Sequence, residues 1–209
     1  MLDTVTGLRA AKKRRTFDEI LANGITLFRE QGIRRTRTDQ IARAADVSPA
    51  TLFNYFPNKG ALAEAWVRGE TDRVVAETAA TIMERGLRPS LRAACRLLAS
   101  RAADAPGLRL EAWRTAGRAR DQALSEAHPL VAGLEHEQKC ERIRGDLSAR
   151  LLAELILDAL ETGLIDGLRS VCSQEDLSKS LQARVDLILD GARKRNERVE
   201  LPRRPGREG

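Results

Sequence analysis

Two prolines standing eight residues apart constrain this chain more than any other feature. In "DVSPATLFNYFPNKGAL", residues 46 to 62, Pro49 and Pro57 bracket a stretch that is otherwise helical in character. A proline costs nothing at the first position of a helix, where its missing N–H would have no partner, and Ser48 before it is a good cap. Pro57 pushes the residue before it out of helical geometry, so this helix ends by Phe56. Asn58 then caps the next helix. That places Lys59 in a first turn, where the helix dipole disfavours a cation by roughly 0.3 kcal/mol or more.

Upstream, "TFDE" opens the first helix, with Thr16 capping the amides and Glu19 reaching back in a capping box. Phe17, Ile20, Leu21, Gly24, Leu27 and Phe28 fall on one face, and Gly32 ends the helix in a left-handed conformation. A short second helix over about residues 39 to 45 turns Ile41, Ala42 and Ala45 inward. Three helices with short turns, the second and third at a steep angle, make a helix-turn-helix unit, which presents one helix to a partner. On the third helix Leu52 and Phe56 point inward and leave Pro49, Ala50, Thr51, Asn54 and Tyr55 outside. Small and hydrogen-bonding side chains suit a DNA major groove, where Asn54 can bond an adenine edge twice and the Thr51 methyl can touch a thymine methyl. Lys59 beside the free amides of the fourth helix forms an anion site for a phosphate. Arg37 and Thr38, at the start of the second helix, would act in the same way, and Ser48 completes the candidate DNA-binding residues. The bland alternative for Lys59 is a surface lysine with no partner.

The run "IARAADVSPATLFNYFPNKGAL", preceded by "LFREQGIRRTRTDQ", resembles the DNA-binding domain of the tetracycline-repressor (TetR) family of bacterial transcriptional regulators. The resemblance covers about the first 65 residues. It rests on the apolar first helix ending in Gly32, on Ile41-Ala42, Ala45, Val47-Ser48 and Tyr55-Phe56, and on Lys59 with Leu62. It implies a homodimer that binds a palindromic DNA operator, usually as a repressor, and a C-terminal domain that binds a small molecule and releases the DNA. Three residues depart from the family pattern. Asp46 stands where glycine is usual, and its carboxylate needs a capping or turn role. Phe53 replaces a tyrosine whose hydroxyl typically bonds a phosphate. Arg37 stands where a small hydroxyl residue is common, and its longer arm is a candidate to replace that contact.

Strand signals are absent from the whole chain, with one tyrosine and few β-branched runs, so the fold class is all-α: a three-helix helix-turn-helix domain at the N-terminus followed by a helical ligand-binding and dimerisation domain. The expected division is residues 1–62, 63–194 and a basic, disordered tail 195–209. The net charge of +6 is uneven, because residues 1–60 carry 11 Lys and Arg against 6 Asp and Glu. A basic N-terminal segment points to a polyanion partner. No apolar run is long enough to span a bilayer and no signal peptide is read, so a cytoplasmic protein with no membrane partner is expected. The three cysteines are far apart and form no CxxC pair, which argues against a disulfide framework or zinc ribbon. No cofactor or metal is expected: His136 and Cys140 have the spacing of two ligands on one helix face, but without a third. Motifs for nucleophilic, phosphate-loop or zinc-protease chemistry are missing, which argues against an enzyme. A helical protein-interaction module without specific DNA binding is the alternative reading.

Beyond the fourth helix, expected to run to about residue 85, helices are expected over 89–103, 108–124, 130–143, 149–170 and 175–195. The last two carry wide apolar stripes, with Leu152, Ile156, Leu160, Gly163 and Gly167 on one and Leu181, Val185 and Ile188 on the other. Such a pair fits either a core or a four-helix dimer interface, and the family resemblance favours the interface. The body has few aromatics beyond Trp66 and Trp113. It cannot build an aromatic cage for a cation, since each ring contributes only about 0.5 to 2 kcal/mol. An apolar, aliphatic effector is expected, lined by Trp113, Cys95 and His128, with Arg114 or Arg118 to pair an anionic end. Arg88, Arg92 and Arg96 share one helix face, and a solvated surface is the expectation for them.

Overall fold

A computed structural model describes residues 2–116, 124, 125 and 127–193, with side chains from residue 8 onward. Within these residues the chain forms ten helices and a single isolated bridge, Ile143 to Arg193. They are α1 (Leu2–Gln31), α2 (Thr38–Ala44), α3 (Pro49–Tyr55), α4 (Lys59–Ala79), α5 (Ile82–Arg85), α6 (Leu87–Ala103), α7 (Pro106–Ala116), α8 (Pro129–Lys139), α9 (Ala149–Ser170) and α10 (Gln174–Gly191). None of them is long and apolar enough to cross a membrane.

The first helix departs from expectation at its start. Thr16 caps nothing, because α1 is continuous from Leu2. The run from Leu8 to Arg15 is built almost entirely from strong helix formers, and this propensity outweighs a local capping box. The other end is as expected: Gly32 adopts φ +80° and its N–H bonds the Phe28 carbonyl at 2.9 Å. The fourth helix also stops early. The Thr78 hydroxyl bonds the Val74 carbonyl at 2.9 Å and that of Thr81 bonds Thr78 at 2.7 Å, and the chain turns there before α5. Of the helix expected over 108–124, residues 117–123 lie outside those described, as does the tail 195–209.

Around α4 the body assembles. α4 packs against α6, α7, α8 and α9, and α10 closes on α6 and α9. A continuous apolar core runs from Ile20 and Phe28 in α1, through Leu62, Trp66 and Val74 of α4, to Leu152, Ile156 and Leu160 of α9. The expected boundary at residue 62 therefore falls inside a shared core. Of the three arginines expected on a solvated face of α6, Arg96 is exposed, while Arg88 and Arg92 serve as staples. Arg88 pairs with Asp186 at 2.6 Å and with Asp190, while Arg92 reaches Asp186 at 3.0 Å, tying α6 to α10.

The apolar stripes expected to form a dimer interface lie within a single chain. Leu152, Ile156, Leu160, Gly163, Leu181 and Val185 are buried, and Gly167 and Ile188 are partly covered. A Cβ on Gly163 would stand 2.7 Å from Leu181 Cδ2, and one on Gly167 only 2.4 Å from Leu177 Cδ1. The two glycines thus bring α9 and α10 of the same chain together. The physical reason is supply: this body needs apolar surface on α9 to close its own core, so that face is not available to a second copy.

Candidate nucleic-acid interface

The turn between α2 and α3 is a Schellman motif with an aspartate at its left-handed position. Val47 N–H bonds the Ala42 carbonyl at 2.9 Å, Asp46 N–H bonds Arg43 at 3.2 Å, and Asp46 itself has φ +52°. A non-glycine residue in this conformation costs about 1 to 2 kcal/mol, while glycine loses about 0.4 to 1 kcal/mol through extra freedom in the unfolded chain. Asp46 is exposed, so little else is lost. Asp46→Gly should raise stability by about 0.5 to 1 kcal/mol, read as a higher urea midpoint with unchanged slope.

At the start of α3, Ser48 Oγ accepts from Thr51 N–H at 3.0 Å and lies 2.8 Å from the Thr51 hydroxyl. The Thr51 hydroxyl is engaged with its cap, which leaves its methyl as the group to offer a partner. Phe56 leaves helical geometry at φ −135°, and the Asn58 carboxamide accepts from Ala61 N–H at 2.9 Å to start α4. Leu52 and Phe56 are buried, and Phe17 stacks on Phe56 with ring centroids 4.8 Å apart. The helix is held firmly from below. Above, Pro49, Ala50, Phe53 and Asn54 are exposed, Tyr55 and Thr51 are half-buried, and the Asn54 side chain makes no hydrogen bond to the described residues. Phe53 is 47% exposed, an apolar ring in the middle of this surface. The sequence marked it only as a missing hydroxyl; its outward position could have been read from the spacing of Leu52 and Phe56.

Lys59 has a different role from the one its sequence position indicates. Its ammonium donates to the carbonyls of Ile33 at 2.9 Å, Thr36 at 3.0 Å and Arg34 at 3.2 Å. All three N–H groups are used, so none is left for a phosphate in this arrangement. The charge that is misplaced for α4 lies at the carbonyl-rich exit of α1, where a cation is favourable. Lys59→Met should lower stability by about 1.5 to 3 kcal/mol, the worth of hydrogen bonds to a charged group, in a thermal melt without DNA.

The phosphate candidates on α2 are partly committed as well. Arg37 Nε bonds Asp39 at 3.0 Å and Arg43 bonds the same carboxylate at 2.7 Å. Although desolvation acts to raise it, the charges of Arg37 and Arg43 hold the Asp39 carboxyl below its ordinary range. Thr38 occupies the first position of α2, whose start is also tied by Arg37 N–H to the Gln40 side chain at 2.8 Å.

In the body, the expected effector residues are dispersed. Cys95 and Trp113 are buried, and burial pushes the Cys95 thiol up to about 12. Arg114 is exposed, Arg118 lies outside the described residues, and His128 caps α8 by accepting from Leu130 N–H at 3.2 Å. His136 and Cys140 stand 3.6 Å apart, and no group of three metal-binding side chains occurs among the described residues. Two buried arginines were not singled out by sequence. Arg68 bonds Glu161 at 3.0 Å and Glu64 at 2.7 Å and lies 5.6 Å from the Trp113 ring centroid; Arg109 pairs with Glu70 and lies 5.5 Å from that of Trp66. The Glu64–Arg68 spacing of four was the available signal. The partner on α9, 93 positions away, had none.

Comparison with known proteins matches residues 20–66 to the model of bacterial regulatory proteins of the tetR family. These residues run from the core face of α1 to Trp66 on α4, so they span the whole helix-turn-helix. A 53-residue segment is 43% identical to the HTH-type transcriptional regulator TcmR of Streptomyces glaucescens, covering 25% of this chain. The match spans about a quarter of that relative's length. The overall fold is similar to Thermus thermophilus FadR, a TetR-family transcriptional repressor solved in complex with lauroyl-CoA, with TM-score 0.61 and 22% identity over 91% of this chain and 100% of that one. A TetR transcriptional regulator from Rhodococcus sp. RHA1 superposes with TM-score 0.58 at 18% identity, covering 85% of this chain and 97% of the other. The N-terminal unit, residues 20–66, is thus similar to the tetR family of bacterial regulatory proteins, and the whole chain shares the fold of the solved regulators.

Proposed function

We propose that the protein is a ligand-responsive repressor, which reads operator DNA with α3 as a homodimer and is released by an apolar effector. The observation that carries this reading is α3 itself: capped at its start, anchored by Leu52 and Phe56, and presenting an uncharged face with an uncommitted Asn54 amide beside the Phe53 ring. Residues 1–62 would form the DNA unit and 63–194 the effector and assembly unit. The dimer would use the outer faces of α9 and α10, where Leu155 is 44% and Leu187 76% exposed.

Release requires the effector to favour a body conformation that binds DNA poorly. Arg29 pairs with Asp104 at 2.6 Å and Arg34 with Glu111 at 3.8 Å, so movement in α6 and α7 would reach the DNA unit through these pairs and through α4. An aliphatic ligand with an anionic end suits a body of Leu, Val, Ile and Ala; the acyl thioester bound by the Thermus protein is of that kind. In a Trp66→Phe protein, Trp113 alone would report a titration with fatty acids.

The test of the DNA reading is selection of sequences from a random duplex pool, followed by Asn54→Ala. The substitution should change base preference, costing about 1 to 3 kcal/mol on the preferred operator and much less on others. Equal loss on every sequence would show that Asn54 does not specify. A protein-interaction module would instead select no sequence and show no steep salt dependence.

A further inference from the structure

Apart from Arg34 and Arg35 in the turn before α2, both exposed, free cations are scarce around the base-reading helix. α3 carries no charged residue, Lys59 is spent on three carbonyls, and Arg37 and Arg43 share Asp39. A groove-reading helix still needs cations nearby, since phosphate contacts supply most of the sequence-independent affinity. The largest supply is the first half of α1, where Arg9, Lys12, Lys13, Arg14 and Arg15 are all exposed. Among the described residues their one ion pair is Arg15 with Glu19, at 3.4 Å.

Placement strengthens the case. Arg9, Lys13, Phe17 and Ile20 follow one another at helical spacing, so the row that enters the core begins as a row of cations. Phe17 stacks on Phe56, the residue that ends α3. The cationic segment therefore departs from the end of the base-reading helix, and at 1.5 Å per residue it extends about 12 Å beyond Phe17. Like charges at Arg9–Lys12, Arg9–Lys13 and Lys12–Arg15 repel at these spacings. Nothing among the described residues neutralises the first three, and a polyanion would.

We infer that the first half of α1 is a clamp for the DNA phosphate backbone, acting beside α3 and indifferent to sequence. This inference rests on the operator-binding reading. Its test compares the full-length protein with a variant carrying R9Q, K12Q, K13Q and R14Q, and with a charge-conserving variant carrying R9K, K12R, K13R and R14K. Each is titrated by fluorescence anisotropy against a selected operator and a scrambled duplex over a range of salt. The glutamine variant should bind both duplexes at least tenfold more weakly and keep its base preference. Its salt slope should flatten by about 0.9 for each phosphate it no longer neutralises. The charge-conserving variant should keep the wild-type slope. Circular dichroism checks that the glutamine variant remains helical. If its slope is unchanged while the wild type binds its operator, the clamp is overturned and the operator reading stands. If the slope falls equally in both variants, charge is not the cause and the clamp is again overturned. A wild type that binds no duplex overturns both. Loss confined to binding of anionic phospholipid vesicles would assign the segment to membranes and overturn the clamp.

Discussion

Replacing Glu161 with leucine should lower the unfolding free energy by about 3 to 5 kcal/mol, a large share of a typical domain's stability. Arg68 is buried, and its guanidinium bonds Glu161 at 3.0 Å while Glu64 takes another N–H at 2.7 Å. Removing Glu161 leaves a buried cation without one of its carboxylate partners, and this desolvation cost outweighs the apolar surface that leucine adds. Glu64→Leu should cost less, because its side chain is 20% exposed and water can partly replace it. The double substitution Arg68→Met with Glu161→Leu should recover most of the loss, since a buried pair exchanged for apolar groups is often neutral. Urea denaturation of the three variants decides the matter; a Glu161→Leu protein within 1 kcal/mol of wild type, roughly the worth of an exposed pair, would show that the pair is solvated. Because the pair joins α4 to α9, and Arg68 lies against Trp113, its loss should also blunt any effector response measured at the DNA.

Leu155→Asp combined with Leu187→Asp should yield a well-folded monomer whose operator affinity is about 10²- to 10⁴-fold weaker, the usual gain from linking two binding modules. Both leucines are exposed in the single chain, so the substitutions should leave its melting curve little changed apart from the concentration-dependent part. A palindrome reader holds its two recognition helices about 34 Å apart or at a multiple of that spacing, and a monomer cannot do so. Sedimentation and light scattering at micromolar concentration check the assembly. A wild type that is monomeric there would overturn the dimer, and so would a doubly substituted protein that remains dimeric. Gly163→Leu is a poorer test, because it would disturb the packing of α9 on α10 inside each chain before it touched a partner.

Local chemistry made much of this protein legible from its residues. Pro49, Pro57, Ser48 and Asn58 set the limits of α3 and the start of α4, because proline geometry and side-chain caps act within a few residues of themselves. Gly32 ends α1 for the same reason. The all-α class and the inward face of α3 follow from periodicity, which is also a local property. Long-range packing decided the rest. The stripe on α9 fits equally well against a second copy or against its own α10, and only the assembled body shows that the chain's own core takes it. Lys59 looks like a free cation until the exit of α1 folds back and surrounds it with carbonyls from residues 33, 34 and 36. Arg68 is one of many arginines until Glu161 arrives from 93 positions away. A side chain's charge is set by its own covalent structure, but the groups that neutralise it come from wherever the backbone brings them, and that is decided by tertiary packing.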